Sequence, residues 1–178
     1  LAAIVDSSMD AIIGKSIEGV VTSWNKGAER MFGYAASEII DHHVSMLIPA
    51  HLREEEQAIL DKLGRGERVE PYETQRVRKS GEISDVSLTV SPVQDAAGRI
   101  VGASKIARDI TAQKQASQYA RSLIESSLDP LVTISPEGKI TDVNEATAKV
   151  TGIPREKLIG TDFSDYFTDP EKAREGYR

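Results

Sequence analysis

Hydrophobic positions along the chain alternate between two spacings, and the changes of spacing mark out its elements. Leu1, Ile4 and Val5 fall at helical intervals, predicting a short amphipathic helix that ends near Ser7 and Ser8. Residues 11–13 and 20–24 read as two short strands, and Glu18-Gly19 between them is a turn signal, so they form a hairpin. Asn25 then stands as an N-cap for a helix over 26–32, with Gly33 as its C-terminal stop. A second short helix is expected through 37–40, and Pro49 breaks the apolar segment 44–48. Over 51–63 the apolar positions Leu52, Ile59, Leu60 and Leu63 make one buried stripe on a longer helix whose other face is acidic. Gly64 and Gly66 end it. Three strands follow, at 72–78, 83–93 and 100–106. In the middle one Val86, Leu88 and Val90 alternate with Ser87, Thr89 and Ser91, as in a sheet with one covered face. Residues 112–126, with Ala116, Ala120, Leu123 and Ile124 at helical spacing, predict a continuous connector helix.

The pattern then starts again. Ser7 recurs as Ser126, Glu18-Gly19 as Glu137-Gly138, Thr22 as Thr141, Asn25 as Asn144, Gly33 as Gly152 and Ile40 as Ile159, at a constant separation of 119 residues. A period of that length is a whole small domain, not a solenoid repeat. The expected organisation is a complete domain over 1–111, a connector over 112–122, and the N-terminal half of a second copy over 123–178. Two strands, several short helices and three strands define an α+β domain with its helices on one face of an antiparallel sheet. The second copy stops before its three later strands, and a hairpin with helices alone is poorly stable. It is expected to be truncated, continued beyond this sequence, or completed by another chain.

Composition narrows the chemistry. The chain of 178 residues is 39% hydrophobic and carries a formal charge of −6, which argues against nucleic acid or an anionic membrane as main partner. Cysteine is absent, which removes disulfides, thiolate metal sites, cysteine nucleophiles and any flavin–cysteinyl adduct within this segment. No apolar run reaches the length of a membrane span, so the segment is expected to be cytoplasmic without direct membrane contact, although its parent could be membrane-anchored.

The stretches GVVTSWN at 19–25, GAERMFGY at 27–34, MLIP at 46–49, RKSG at 78–81, VSLTVSP at 86–92 and ARDIT at 107–111, in this order and spacing, resemble a PAS sensor domain (the Per-Arnt-Sim family). The resemblance is close over 1–112 and good over 121–178. It implies a five-stranded antiparallel sheet whose helices enclose a cavity, in bacterial signalling proteins such as sensor histidine kinases and diguanylate cyclases. It makes Trp24, Phe32, Met46, Leu47, Ile59 and Leu60 candidates for the cavity lining. Asp109 and Thr111 become the signal exit, one capping the connector helix while the other bonds back to the sheet. The family's reactive cysteine for blue-light chemistry is matched by Val44, and in the second copy falls near Phe163. Its haem-ligating histidine is matched by Glu56, a poor axial ligand. Non-covalent flavin, beside Trp24, and a small metabolite stay open as cofactor or ligand.

Other constellations read as structure. His42, His43 and His51 have no converging carboxylates and are expected to be solvated loop residues, so no metal site is assigned. Glu54, Glu55 and Glu56 read as a wet helix face, and strand alternation splits Arg65, Arg68, Arg76, Arg78 and Lys79 between faces. No nucleophilic triad or phosphate-cradling glycine loop occurs, so no catalytic residue is assigned. The expectation is a non-catalytic sensory and transmission module, most plainly of a histidine kinase, that passes a cavity or sheet change through the connector helix to an effector in the same polypeptide. Homodimerisation through the N-terminal or connector helices is expected, and a ligand-free interaction module is the alternative.

Overall fold

Asn25 ties together four separate pieces of backbone, and the leading domain is organised around it. Helix α1 (Ala2–Ser7) is followed by strands β1 (Ala11–Ser16) and β2 (Val21–Trp24), then by α2 (Lys26–Phe32). The Asn25 Oδ1 accepts from Ala28 N at 2.8 Å, capping α2, and from Ile12 N at 2.9 Å on β1. Its Nδ2 donates to Val5 O at the end of α1 and to Asp10 O in the intervening loop. Gly33 closes α2 in the left-handed conformation, φ 79°, which glycine adopts without a Cβ penalty.

The computed structural model describes residues 2–175, and side chains over 3–172; Leu1 of the predicted first stripe and the terminal Arg178 lie outside the described residues. After α2 come α3 (Ala36–Ile39), two 3₁₀ turns at Val44–Leu47 and Ala50–Leu52 on either side of Pro49, and α4 (Arg53–Gly64). Strands β3 (Val69–Val77), β4 (Ile83–Gln94) and β5 (Ile100–Asp109) complete an antiparallel sheet of order β2-β1-β5-β4-β3. β3 starts three residues earlier than the sequence pattern suggests. A register shift between Val69 and Tyr72 absorbs Pro71, which cannot donate to a ladder.

One sheet face is buried. It carries Ala11 and Ile13 from β1, Val86, Leu88 and Val90 from β4, and Ala103 and Ala107 from β5. Phe32, Ile39, Val44, Leu47, Ile59 and Leu63 close over it from the helical side, beside Trp24 at the end of β2. The small residues of β5 leave depth for the long side chains of its neighbours.

Helix α5 (Thr111–Ser126) leads into β6 (Val132–Ile134), β7 (Ile140–Val143), α6 (Glu145–Thr151), α7 (Arg155–Leu158), a 3₁₀ turn at Phe163–Tyr166 and α8 (Pro170–Glu175). The chain divides into two compact units, 1–114 and 115–178. In the second unit β6 and β7 form a two-stranded sheet over a small core of Ile140, Val143 and Leu158. Asn144 repeats every bond of Asn25 at the same offset. It accepts from Thr147 N and Leu131 N and donates to Ile124 O and Asp129 O.

Candidate functional site

The centre of the leading domain is ionic. On β1 the inward positions run Ala11, Ile13, Lys15, and on β5 they run Ala103, Lys105, Ala107. In the β1–β5 register Lys15 stands opposite Ala103 and Ile13 opposite Lys105, so the two lysines are diagonal neighbours on the buried face. Both reach the carboxylate of Glu56 on α4. Lys105 Nζ lies 2.6 Å from Oε2, and Lys15 Nζ bonds Oε1. The three side chains are 3%, 0% and 7% exposed.

Glu55, the preceding residue, points about 100° round the helix and meets a different strand. Tyr72, Thr74 and Arg76 share the inward face of β3. All three bond Glu55: Arg76 Nη2 at 2.6 Å, Thr74 Oγ1 at 2.6 Å and Tyr72 OH at 3.0 Å. The first turn of α4 is therefore fastened to β1, β5 and β3 by two adjacent carboxylates, and Ile59 and Leu63 pack behind them. This corrects the reading of residues 54–56 as a wet acidic face: only Glu54 remains exposed. Buried cations on facing strands turned two of the carboxylates inward, and the helix-only pattern could not register them.

The electrostatics follow from burial and pairing. Burial disfavours the Glu56 carboxylate, but Lys105 and Lys15 outweigh it and hold its pKa below the ordinary value. Glu55 is likewise lowered, its burial overcome by the Thr74 and Arg76 hydrogen bonds. For Lys105 burial dominates, with Lys15 and Arg76 adding repulsion against the attraction of Glu56, and its pKa falls to about 7. Tyr72 is raised, first by burial and then by the charge of Glu55.

Of the six residues expected to line a cavity, Trp24, Phe32, Leu47 and Ile59 share the buried core. The Trp24 ring packs on Phe32 at 5.6 Å between centroids, and its Nε1 donates to Tyr34 O at 3.0 Å. Leu60 is half-buried and borders a pocket of about 220 Å³. Met46 stands at the surface, 36% exposed, on the outside of its 3₁₀ turn. Sequence reasoning missed Lys15, Lys105 and Arg76. The signal was present: each is a cation at an inward position of an alternating strand. The second copy carries Ile134 where the first has Lys15.

Glu56, at the position of the family's haem ligand, is committed to two lysines, so the residues there do not fit an axial ligand. Among the described residues no cluster of three metal-ligating side chains occurs. His43 is not a free loop residue. Its Nδ1 accepts from Ser45 N at 3.1 Å, capping the 3₁₀ turn, and its Nε2 lies 2.9 Å from Glu18 O in the hairpin turn.

At the far end of the sheet Asp109 and Thr111 divide their work. Asp109 Oδ1 accepts from Thr111 N at 2.9 Å at the start of α5, and its Oδ2 pairs with Arg78 Nη2 at 2.7 Å. The Thr111 Oγ1 accepts from Asp85 N on β4 at 3.0 Å, and Ile110 N donates to Asp85 O. Lys114, one turn on, reaches Glu73 on β3 at 2.8 Å and Asp85 at 3.3 Å.

A five-stranded antiparallel sheet of this order, roofed on one face by short helices and continued by an exit helix, defines the fold class of small sensory domains. Two family models, both described as PAS fold, match residues 5–115 and 118–178; the chain belongs to the PAS family. It is similar to phytochrome C of Arabidopsis thaliana, 26% identical over 171 residues, covering 88% of this chain and 15% of that protein. Two-component system protein A of Emericella nidulans is 33% identical over 141 residues, covering 75% of this chain and 20% of that protein. The chain thus spans a fifth or less of the length of these curated relatives. A PAS domain from Colwellia psychrerythraea superposes with a TM-score of 0.57 at 29% identity, over 62% of this chain and 94% of that one. The LOV domain of an Erythrobacter litoralis blue-light activated histidine kinase shares the fold, with a TM-score of 0.51 at 17% identity, over 57% of this chain and 96% of that one. The chain is a PAS signalling module. Among the described residues no helix is long and apolar enough to cross a membrane.

Proposed function

We propose that this segment is a non-catalytic sensing and transmission module of a two-component signalling protein, with a histidine kinase as its effector in the same polypeptide. A change at the buried face of the leading sheet alters β4 and β3, and α5 carries it onward. The observation that supports this most is how α5 is held. Its first turn bonds to the leading unit, through Thr111 and Lys114 to β4 and β3. Its last turns bond to the second unit, through Arg121 to Asp142 and through Ile124 O to Asn144. The helix between, 16 residues or about 24 Å long, is unbroken. The similarity to a two-component system protein supports the two-component context, and the location of such a protein is taken to be the cytoplasmic side.

The double substitution D109A/T111A tests the relay. Losing the cap and the Asp85 bonds costs about 1 kcal/mol each, so amide exchange in the first turn of α5 should quicken at least about tenfold. Output of the parent protein should no longer follow its input, while the Trp24 fluorescence of the folded core is retained. Unchanged signalling in that double mutant sinks the proposal.

A second reading, a homodimer through the connector helix, is favoured by one observation. No residue of α5 is buried, and Tyr119 and Leu123, four apart on one face, are 68% and 54% exposed. Sedimentation equilibrium is expected to show a dimer that L123E converts to monomer. A monomer in both cases rules it out.

A further inference from the structure

One end of the leading domain carries a hollow that the ionic centre does not reach. The pocket of about 220 Å³ lies where the last turns of α4 meet the end of β1 and the start of β5. Leu60 and Leu63 come from the helix, Ile17 from the turn that follows β1, and Ile100 and Ala103 from β5. Leu63 and Ala103 are buried, 4% and 2% exposed, and form its floor. Ile17, 53% exposed, stands at the mouth with Gly64. No charged residue lines it, and Ser16 supplies its one polar side chain. Lys15, Lys105 and Glu56 are closed on one another and contribute nothing to its wall.

Two features set this pocket apart from a simple gap in packing. Ile17, Leu60 and Ile100 are all partly exposed around one opening, so apolar surface is gathered there rather than scattered. Gly64 is the second. Among the described glycines it alone is neither in the left-handed region nor pressed against a neighbour. Alanine would hold the end of α4 better at no steric cost, since an added Cβ meets nothing within 4 Å. What glycine supplies there is bare backbone at the opening. Two other hollows of the leading domain are bordered by charge: one of about 340 Å³ by Glu55, Lys62 and Glu70, and one of about 410 Å³ by Arg30, Arg78 and Lys79.

We propose that the uncharged pocket binds a small neutral aliphatic molecule of about eight heavy atoms, a medium-chain alcohol or ketone in class. This rests on the sensing role proposed above and names the chemical class of its input. The size follows from the volume, because a cavity of about 150 Å³ accepts benzene. The neutrality follows from the wall: a carboxylate or an ammonium would lose its water and meet no counter-charge. The occupant joins the end of α4 to β1 and β5 by covering Ile17, Leu60 and Ile100. β5 then runs from Ile100 at the pocket to Asp109 at the start of α5, so ligand and exit share one strand.

The test uses the whole chain with 1-heptanol as probe, and heptanoate and heptylamine as its charged counterparts of the same chain length. At neutral pH, titration calorimetry is expected to show one saturable heptanol site, with both charged counterparts at least about tenfold weaker. I17D sets a carboxylate at the exposed mouth and should weaken heptanol more than about tenfold, whereas I17L should bind as wild type does. L60F narrows the pocket from α4 and should weaken heptanol as well. The Trp24 fluorescence melt shows that each variant is folded, and Ile17, on a surface turn, can be replaced without touching the core. No saturable heptanol binding, equal binding of a charged counterpart, or full affinity in both I17D and L60F overturns the proposal. Any of these beside a D109A/T111A variant that uncouples output rejects the ligand class and keeps the relay. Saturable heptanol binding beside unchanged signalling in that variant does the reverse.

Discussion

Replacing Glu56 with alanine should unfold the leading domain about 12–20 °C earlier than wild type, the equivalent of ~3–5 kcal/mol. The lost interaction is only part of the cause. Removing the carboxylate leaves Lys15 and Lys105 as two like charges in an apolar core with no anion between them, and that desolvation penalty dominates. Trp24 is the chain's one tryptophan and lies in this core, so its fluorescence reports the leading unit separately from the second. The triple replacement K15M/E56L/K105M is expected to be neutral or more stable than wild type, because it removes charges and penalty together. A single E56A variant as stable as wild type would contradict the buried-triad account.

The same triad sets a pH dependence. The Glu56 pKa is lower folded than unfolded, so its contribution is present above pH 4.5 and disappears as pH falls through the folded value. Lys105 acts in the opposite direction. Folded, it releases its proton near pH 7, whereas unfolded it keeps it to about 10.5, so stability should rise with pH between those values. K105M should flatten that rise, as thermal melts across pH 6 to 10 would show.

Asn25→Ala is the second large effect, expected at ~2–4 kcal/mol on the leading unit. It strips the N-cap from α2 and removes the side-chain bonds to Ile12 N–H, Val5 C=O and Asp10 C=O, which alanine cannot replace. Asn25→Asp discriminates cap from staple. It keeps the acceptor for Ala28 and Ile12 but sets a carboxylate against the two carbonyls. It should therefore release α1, seen as faster exchange there, while α2 holds. Asn144→Ala should do the same in the second unit, freeing the end of α5 at Ile124.

These two sites differ in how legible they were. Asn25 and Asn144 stood out as caps because an N-cap is a local event, readable from one polar residue ahead of a helical run. The strands, the hairpin, Gly33 and Gly152 were legible for the same reason, and so was the continuous connector helix. What was hidden in Asn25 is the half of its side chain that reaches back to Val5 and Asp10, residues whose proximity depends on the packing of α1. The start of β3 at Val69 was not legible, because only an edge position and a register shift let the strand include Pro71.

The sequence alone determined the architecture: alternation and caps are short-range and repeat at one offset, so the fold and its two copies could be read without coordinates. Only the tertiary structure decided the interior. Glu55 and Glu56 look like a solvated helix face until β3, β1 and β5 bring Arg76, Lys15 and Lys105 against them, from positions up to 49 residues away in the chain. Charge pairing over such distances carries no periodic signature, because which cation meets which carboxylate is set by strand order and helix packing.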